Sequence, residues 1–294
     1  MFNLEQYLLE RNARVDAALE RQLPPAVPRP ARLHEAMRYS LFAGGKRLRP
    51  VLCLAAAEAV GGDAGRAMLP ALALEVLHTY TLIHDDLPAM DDDALRRGRP
   101  TNHKVFGEAV AILAGDALLT LAFEWMGHAA LDAGPAGARL VVELAQAAGS
   151  QGVIGGQAED MAAEGGGQDP ERLRYIHEHK TAALIRASVR IGALAAGAAP
   201  AHLEALSAFG QALGLAFQIA DDVLNATSTP EQLGKAVGSD QARGKLTYVA
   251  LYGIEEARGR ASALADESVA ALADLPGDTV PLTALARYAV ERVR

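Results

Sequence analysis

The sequence predicts an all-α protein built from roughly ten or more helices, and three observations support that fold class. Apolar residues recur with the helical period, and no stretch alternates as a half-buried strand would. The chain is 50% hydrophobic but only 5% aromatic, and alanine is abundant, which favours helix over sheet. Clusters of glycine and proline divide the chain into segments of helix length.

Two of the predicted segments, 109–123 and 213–224, are apolar on almost every side. Such helices belong at the centre of a bundle, with other helices packed around them. The 294 residues allow one large domain or two ordinary ones. Because no long polar linker separates two cores, we expect a single domain over residues 1–294.

Bulk charge and cysteine content exclude several classes of protein. The net charge of −8 argues against a non-specific nucleic-acid binder, which carries a basic surface. Cys53 is the only cysteine, so no internal disulfide can form and a reducing compartment is indicated. No targeting signal is visible, and Glu75 and Asp116 interrupt the two best apolar stretches before they reach the ~18 residues of a membrane span. We therefore expect a cytoplasmic protein with no nucleic-acid partner and no membrane span.

An aspartate-rich segment, residues 82–93, ends a long apolar helix and contains Asp85, Asp86 and Asp91. An ordinary acidic run would be a solvated helix end, but acidic groups at a helix C-terminus oppose the helix dipole at roughly 0.3–1 kcal/mol each. Five aspartates in this segment therefore suggest a bound cation. Pro88 disturbs the helix, which would allow Asp91 to return towards the face of Asp85.

A second aspartate pair lies on the apolar helix predicted over 213–224. Gln218, Asp221, Asp222 and Asn225 are spaced i, i+3, i+4 and i+7, so they share one helix face. A polar stripe on a buried helix is costly unless it meets ions or hydrogen-bond partners, and a buried network between helices is the alternative. Two carboxylate clusters suit Mg²⁺, which takes one or two carboxylates together with water and phosphate oxygens. No Cys/His spacing indicates zinc.

Basic residues follow glycine turns at several points of the chain, as a phosphate-binding site requires. Arginine offers a planar fork to phosphate oxygens, and lysine acts as a point charge. Singly, each would be an ordinary surface charge, but their proximity to glycine turns and to the aspartate segments favours a functional role. The groups concerned are Lys46, Arg47 and Arg49 within 44–50, Arg96, Arg97 and Arg99 after the first aspartates, and Lys180, Lys235 and Lys245.

Six motifs carry a resemblance to a known family: GGKRLRP at 44–50, LIHDDLPAMDDDALRRGRPTNH at 82–103, GGQAEDM at 155–161, HKTAALI at 179–185, FQIADDVLN at 217–225 and LGKAVGSDQARGKLTY at 233–248. In this order they resemble the trans-isoprenyl diphosphate synthases, and among them bacterial farnesyl diphosphate synthases. The resemblance covers residues 30–250 approximately. It implies an isoprenoid-synthase-type helical bundle around a deep central cavity, a homodimer, and three Mg²⁺ ions in each active site.

The resemblance also implies roles for individual side chains. The metal ligands would be Asp85 and Asp91 for two ions, supported by Asp86, and Asp221 for the third. The allylic diphosphate would be held by Arg96, Lys180, Lys235 and Lys245, and isopentenyl diphosphate by Lys46, Arg49, His78 and Arg97. Thr181 and Gln218 would face the developing carbocation, which makes Lys180, Thr181 and Gln218 the catalytic group. Gln157 and Asp160 would line the cavity.

The implied reaction needs no base–nucleophile pair. Metal ions and basic side chains stabilise negative charge on the departing diphosphate. The allylic C–O bond ionises, the π bond of isopentenyl diphosphate attacks the cation, and proton loss to the released diphosphate gives a longer allylic diphosphate. Apolar walls keep water away from the cation.

Residues just before the first aspartate motif set product length in the resembled family, and here these are Tyr80 and Thr81. Tyr80 lies five residues before Asp85, roughly 7.5 Å along the helix, so its ring would stop a growing tail early. This implies farnesyl diphosphate, formed from a dimethylallyl or geranyl starter. The stretch 227–238 resembles geranylgeranyl diphosphate synthases, which leaves the C20 product as an alternative. Asn225 stands where the family usually has a third aspartate, which implies weaker metal binding.

Two other classes of function remain as alternatives. His84-Asp85 resembles the HD pair of metal-dependent phosphohydrolases, but the other histidines show no supporting arrangement. A non-catalytic prenyltransferase partner subunit typically lacks aspartates of the first motif, whereas Asp85, Asp86 and Asp91 are all present. We expect His84 to be a packing residue.

Overall fold

Helices make up almost all of the regular structure, which confirms the predicted fold class. The computed structural model describes residues 2–26, 29–227 and 244–291. A π-helical stretch, His177–Ala182, joins α9 to α10, and a 3₁₀ turn, Gly134–Ala136, joins α6 to α7. In chain order the α-helices are α1 (Leu4–Gln22), α2 (Ala31–Leu41), α3 (Leu48–Ala59), α4 (Met68–Asp85), α5 (Asn102–Phe106), α6 (Glu108–Asp132), α7 (Ala138–Ala148), α8 (Val153–Ala163), α9 (Pro170–Ile176), α10 (Ala183–Ala195), α11 (Pro200–Thr227), α12 (Tyr248–Tyr252), α13 (Ile254–Ala270) and α14 (Val280–Glu291).

One short hairpin interrupts this helical architecture in the described ranges. Strand β1 (Leu95–Arg96) pairs with the antiparallel strand β2 (Arg99–Pro100). The turn between them consists of Arg97 and Gly98, whose φ angles are 54° and 73°. Two successive positive φ angles give the twist that a two-residue hairpin needs. The sequence predicts no strand here, and this expectation is wrong because alternation cannot be recognised over two residues.

The apolar core follows the long helices. One cluster lies between α4 and α6 and includes Leu72 and Leu118, and a second surrounds Phe209 between α3, α10, α11 and α14. Small residues allow the helices to approach closely: a Cβ atom added at Gly192 of α10 would lie 2.0 Å from the carbonyl oxygen of Cys53 on α3. Alanine-rich helices therefore pack backbone to backbone in the core.

Helix α6 is only partly enclosed. It packs against α4, yet Ile112 and Leu113 are 44% and 56% exposed. The prediction that helices surround 109–123 on all sides is thus wrong for one face of α6. For 213–224 the prediction is confirmed, because α10, α13 and α14 pack around α11 and residues such as Leu213, Ile219 and Val223 are buried.

Two of the described helices, α6 and α11, are long and apolar enough to cross a membrane when judged by length and composition alone. In their most apolar windows 44% and 56% of the residues are buried within the bundle. Both helices contribute to the packed core described above.

The π-helical stretch lies between α8 and α11, and two glycines allow this. A Cβ atom added at Gly156 of α8 would lie 2.2 Å from the backbone nitrogen of Lys180, and one at Gly214 of α11 would lie 2.4 Å from Cα of Ala182. Contacts below 3.0 Å are not tolerated by real side chains. A wider π turn inside a helix is often found at functional sites. The position of Lys180 and its neighbour Thr181 therefore depends on these two glycines.

We predict that Gly156→Ala shifts the π stretch and lowers stability by about 1–3 kcal/mol, the usual range for overpacking a tight contact. Gly259→Ala is the matched control, since Gly259 lies on an exposed face of α13 with no atom within 4 Å of an added Cβ. The control should be neutral or more stable by about 0.4–1 kcal/mol. Thermal unfolding of both variants measures the difference, and equal melting temperatures would contradict the packing argument.

Candidate active site

The first aspartate segment turns back on itself where α4 ends. The backbone nitrogen of Asp91 donates to the carbonyl oxygen of Asp85 at 2.8 Å, and that of Asp92 donates to the carbonyl oxygen of Leu87 at 3.0 Å. Asp92 takes a positive φ of 47° in this turn. The return of Asp91 towards Asp85, predicted from Pro88, is confirmed by these backbone contacts.

Asp86 forms an ion pair with Arg96 of the hairpin. Its carboxylate is 3% exposed and accepts a hydrogen bond from Nε of Arg96 at 2.7 Å, with Nη2 at 2.6 Å from the same oxygen. Arg96 also lies 3.5 Å from Asp93. The hairpin and the end of α4 are thereby joined by an ion pair in which two nitrogens of Arg96 contact one oxygen of the buried Asp86 carboxylate, which fits a supporting position for Asp86.

Asp85 lies in a largely dehydrated position at the end of α4. Burial raises the pKa of its carboxyl to about 6, an effect that Lys180 opposes and that Asp91 reinforces. The folded protein therefore favours the protonated form of Asp85 more than water does. A cation next to this carboxylate would favour the ionised form instead.

A pair of lysines connects the first aspartate segment to α8. The ammonium of Lys245 lies 2.9 Å from Asp91 and 3.4 Å from Asp160, and the ammonium of Lys180 lies 2.6 Å from the same oxygen of Asp160. Asp160 is buried, but the two lysines hold the pKa of its carboxyl below the ordinary value. Lysines that are distant in the sequence thus converge on one carboxylate next to Asp91.

The second aspartate segment separates into two parts on α11. Asp221 is partly exposed, whereas Asp222 and Asn225 are each 5% exposed. Asp222 accepts hydrogen bonds from Nε2 of Gln218 at 2.9 Å and from the backbone nitrogen of Tyr248 at 2.7 Å. The predicted polar stripe therefore includes a buried network between helices, which was the alternative interpretation, as well as a residue that solvent can reach.

Gln218 also links α11 to the π stretch. The hydroxyl of Thr181 donates to Oε1 of Gln218 at 2.6 Å. Both residues were predicted site residues, and Lys180 precedes Thr181 directly. The structure thus brings Thr181 and Gln218 into direct contact, while Lys180, which precedes Thr181 in the chain, pairs with Asp160.

A cationic pocket forms between α3, α4 and the hairpin. Burial lowers the pKa of Arg49 to about 10, with Glu75 opposing and Arg97 reinforcing the shift, and its Nε is a buried atom with no hydrogen-bond partner. Burial also lowers the pKa of His78 well below 6.5, with Arg49 and Arg97 contributing. Because Glu75, the carboxylate near them, is paired with Arg47, the guanidinium groups of Arg49 and Arg97 make this position suited to an anion, with His78 as a neutral neighbour.

Glycine allows Arg97 to reach this pocket. Its Nη1 donates to the carbonyl oxygen of Gly44, and a Cβ atom added at Gly45 would lie 2.6 Å from the guanidinium carbon. Lys46, which follows, is exposed, and its ammonium lies 5.0 Å from the ring centroid of Tyr288 on α14. Gly44 and Gly45 adopt φ angles of 88° and 128°, which glycine accommodates best, and Gly45 also leaves room for the Arg97 guanidinium.

Arg47 differs from Arg49 although the two are near neighbours in the sequence. Its guanidinium is buried and lies 2.9 Å from Glu75 and 2.9 Å from Asp16, while Nη2 donates to the carbonyl oxygen of Leu41 at 2.7 Å. All three guanidinium nitrogens of Arg47 thus have a partner inside the protein. Arg47 is one of the three basic residues that follow the paired glycines, but the family resemblance assigned a substrate role only to Lys46 and Arg49.

The two residues predicted to set product length lie on the same part of α4. Tyr80 is 6% exposed and packs edge to face with the His84 ring, with centroids 5.4 Å apart. The hydroxyl of Thr81 donates to the carbonyl oxygen of His78 at 2.7 Å. His84 packs so closely against α6 that a Cβ atom at Gly115 would lie 2.1 Å from its Nε2. Lys235, another predicted site residue, lies outside the described residues.

The carboxylates do not form a closed metal cage. Among the residues in 2–26, 29–227 and 244–291, no group of three or more His, Cys, Asp or Glu side chains is arranged to hold a metal ion. Mg²⁺ commonly keeps several waters and binds through one or two carboxylates plus substrate phosphates. The oxygen donors of Asp85 and Asp91 therefore fit an ion shared with a substrate.

Comparison with known proteins identifies the family of this chain. Residues 30–273 match the family described as Polyprenyl synthetase. The chain belongs to the polyprenyl synthetase family. It is a short-chain trans-prenyltransferase that makes a prenyl diphosphate, and so a transferase of isoprenoid biosynthesis. Membership of this family excludes the phosphohydrolase alternative for the His84-Asp85 pair.

Similar proteins cover nearly the whole chain. Geranylgeranyl pyrophosphate synthase 11, chloroplastic, of Arabidopsis thaliana is 47% identical over 98% of this chain and 82% of its own length. The solved FPP/GFPP synthase of Zymomonas mobilis has a TM-score of 0.88 at 37% identity, covering 98% of this chain and 99% of its own. A geranyltransferase of Helicobacter pylori, solved in complex with magnesium and isoprenyl diphosphate, has a TM-score of 0.83 at 34% identity, covering 100% and 97%.

We predict opposite effects on stability for the two neighbouring arginines. Arg47→Gln leaves Glu75, which is 2% exposed, without its partner and should cost about 3–5 kcal/mol of unfolding free energy. Arg49→Gln removes a desolvated charge that faces Arg97, so its unfolding free energy should be unchanged or higher. Urea unfolding of the two variants measures this contrast. Equal destabilisation by both would show that Arg49 is a structural residue as well.

The raised pKa of Asp85 predicts a pH-dependent cost in the protein without metal. A carboxyl whose folded pKa lies above its unfolded value stabilises the fold below about pH 4, and this contribution is lost as pH rises through about 6. Asp85→Asn removes that loss, so the variant should gain about 2–3 kcal/mol over the wild type between pH 4 and pH 8. Urea unfolding in the presence of a chelator measures the gain. Asp132→Asn, on the exposed end of α6, is the control and should show none.

Proposed function

We propose that this protein condenses isopentenyl diphosphate with dimethylallyl or geranyl diphosphate, with Mg²⁺ as cofactor, to give farnesyl diphosphate and free diphosphate. The observation that carries the proposal is the convergence of carboxylates and cations at the end of α4. Asp85 and Asp91 share this position with Lys180 and Lys245, which meet on Asp160. A diphosphate with bound cations needs both signs of charge at close range.

Asp85 and Asp91 bind two of three Mg²⁺ ions in this proposal, with Asp86 in support, and Asp221 binds the third. The magnesium and isoprenyl diphosphate bound to the Helicobacter pylori relative support this cofactor. The ions offset charge on the departing diphosphate when they are bound. Because Asp85 is dehydrated, a cation relieves the cost of its ionisation, which couples metal binding to substrate binding.

Lysines and arginines divide between the two substrates. Lys180, Lys245 and Arg96 bind the allylic diphosphate, and Lys235 is assigned to the same group. The pocket of Arg49, Arg97 and His78 binds isopentenyl diphosphate, together with Lys46. The unpaired buried Nε of Arg49 supports this, because a diphosphate oxygen would supply its missing acceptor.

The chemical step follows from these positions. The allylic C–O bond breaks while Lys180 and Lys245 remain close to the departing oxygens, which stabilises the developing negative charge. Thr181 and Gln218 direct oxygen atoms at the allylic cation. The π bond of isopentenyl diphosphate then forms the new C–C bond, and the released diphosphate takes the proton. Apolar side chains around the cation exclude water.

Tyr80 supports a C15 product. Its ring is buried against His84, so it cannot swing aside without breaking that contact. The ring lies five residues before Asp85 on α4, at a depth of roughly 7.5 Å. Thr81 follows it on the next helical position. A prenyl tail that extends along α4 from the metal site therefore meets an aromatic wall early.

A C20 product is the second candidate. The observation that favours it is the name of relatives such as the Arabidopsis thaliana protein, a geranylgeranyl pyrophosphate synthase at 47% identity. In that case the Tyr80 ring would move aside for the growing prenyl tail, and a residue deeper in the bundle would limit the length of the tail. Measuring the chain length of the product of the wild-type protein and of the Tyr80 variants separates the two candidates.

We further propose a cytoplasmic homodimer in which residues 1–294 form one domain. Val105, Ile112 and Leu113 are large apolar residues exposed on α5 and α6, and they support a second copy as the partner of this face. The net charge of −8 supports the absence of a nucleic-acid partner. No membrane span is required for the proposed reaction.

We predict that the wild-type protein, incubated with Mg²⁺, isopentenyl diphosphate and each short allylic diphosphate, yields chiefly C15 product. Tyr80→Ala should shift the product to C20 or longer, because the tail can pass the position of the ring. Tyr80→Phe keeps the ring and is the matched control, so it should retain C15. Chromatography of the dephosphorylated products measures chain length. An unchanged product distribution for Tyr80→Ala would contradict the blocking role of Tyr80. In the same assay, adding a chelator should abolish activity if the enzyme requires metal.

A further inference from the structure

Asp222, the second residue of the aspartate pair on α11, is buried at 5% exposure and bound through both oxygens. Oδ1 accepts from Nε2 of Gln218 at 2.9 Å, and Oδ2 accepts from the backbone nitrogen of Tyr248 at 2.7 Å. Nε2 of His177 lies 3.4 Å from Oδ2. This carboxylate is therefore fully engaged inside the protein, and it is more deeply buried than Asp221 beside it.

The hydrogen bond to Asp222 determines the orientation of the Gln218 side-chain amide. A carboxylate only accepts hydrogen bonds, so it selects the amide nitrogen of Gln218. The amide oxygen must then turn to the other side, where it accepts from the hydroxyl of Thr181 at 2.6 Å. Rotating the amide by half a turn would bring two oxygens together at Asp222 and lose that hydrogen bond, whereas the Thr181 hydroxyl could accept from the amide nitrogen instead.

Two further contacts hold the Asp222 carboxylate itself. Tyr248 begins α12 three residues after Lys245, and His177 lies on the π stretch three residues before Lys180. His177 is 5% exposed, so its contact with Asp222 is shielded from water. Asp222 thus joins three chain segments, two of which carry the lysines of the site.

We infer that Asp222, held by His177 and Tyr248, is a positioning residue that orients the Gln218 carbonyl oxygen towards the reacting allylic carbon, and that it is not a metal ligand. This inference rests on the proposed function, which assigns Gln218 and Thr181 to the carbocation. An oxygen that is already oriented stabilises a developing positive charge without reorganisation at the moment of reaction. The amide nitrogen in the same position would oppose that charge.

Asp222→Asn tests the orientation with almost no change of shape. The oxygen of the new amide must still accept from the Tyr248 nitrogen, so its NH₂ group faces Gln218. Two donors then meet, and the Gln218 amide rotates. We expect kcat to fall about tenfold, as for a misdirected dipole in a dry site, with KM for both substrates and the Mg²⁺ concentration for half-maximal rate unchanged.

Asp221→Asn is the matched control for a metal ligand on the same helix, and it should raise the Mg²⁺ concentration for half-maximal rate. A similar rise for Asp222→Asn would overturn the inference. A double-mutant cycle with Gln218→Leu adds a second readout: when Gln218 is absent, Asp222→Asn should cause no further loss. Losses that multiply in the double variant would also overturn it.

The cycle separates this inference from the proposed function. If Gln218→Leu alone leaves kcat unchanged, the proposed assignment of Gln218 to the carbocation fails, and the inference fails with it. If Gln218→Leu lowers kcat and Asp222→Asn does not, the inference alone fails. If circular dichroism shows that Asp222→Asn does not fold, His177→Phe replaces it in the same double-mutant cycle. It should then lower kcat with an unchanged Mg²⁺ requirement, and an unchanged kcat would overturn the inference.

Discussion

The ion pairs of Lys245 hold the centre of this protein together, because that one ammonium lies 2.9 Å from Asp91 and 3.4 Å from Asp160. It neutralises carboxylates from two distant parts of the chain in a position with little water. Dehydrated carboxylates would otherwise repel one another and protonate, as the raised pKa of Asp85 illustrates. The loop after α4, helix α8 and the start of α12 are positioned by this balance of charge.

Hydrophobic periodicity was sufficient to predict the helices, since each long helix buries a face of apolar residues. It could not predict where a helix widens or where an apolar face meets solvent. The π stretch exists because Gly156 and Gly214 admit it between two helices, which is a property of the packed structure. The exposed side of α6 has the same composition as a buried one, so Leu113 gave no signal of its 56% exposure.

The sequence names the side chains of the candidate site by chemical type, but it does not distinguish neighbours of the same type that have different partners. Arg47 and Arg49 are equivalent in the sequence, but Glu75 and Asp16 engage only Arg47. Asp221 and Asp222 are likewise equivalent in the sequence, but Asp222 is the one that accepts hydrogen bonds from Tyr248 and Gln218. The chemical type of a side chain can be read from the sequence, whereas its partner is decided by segments that fold against it from far along the chain.

The π stretch has a consequence for the register of the site. A π turn accommodates an additional residue relative to an α turn, and here that turn contains Lys180 and Thr181. Removing any one residue from 177–182 would restore an α-helix and rotate everything before the deletion by about 100° relative to α10. The segment therefore tolerates changes of side chain far better than a change of length. Spacing between α9 and α10 therefore determines the geometry of the candidate site as much as the identity of its residues does.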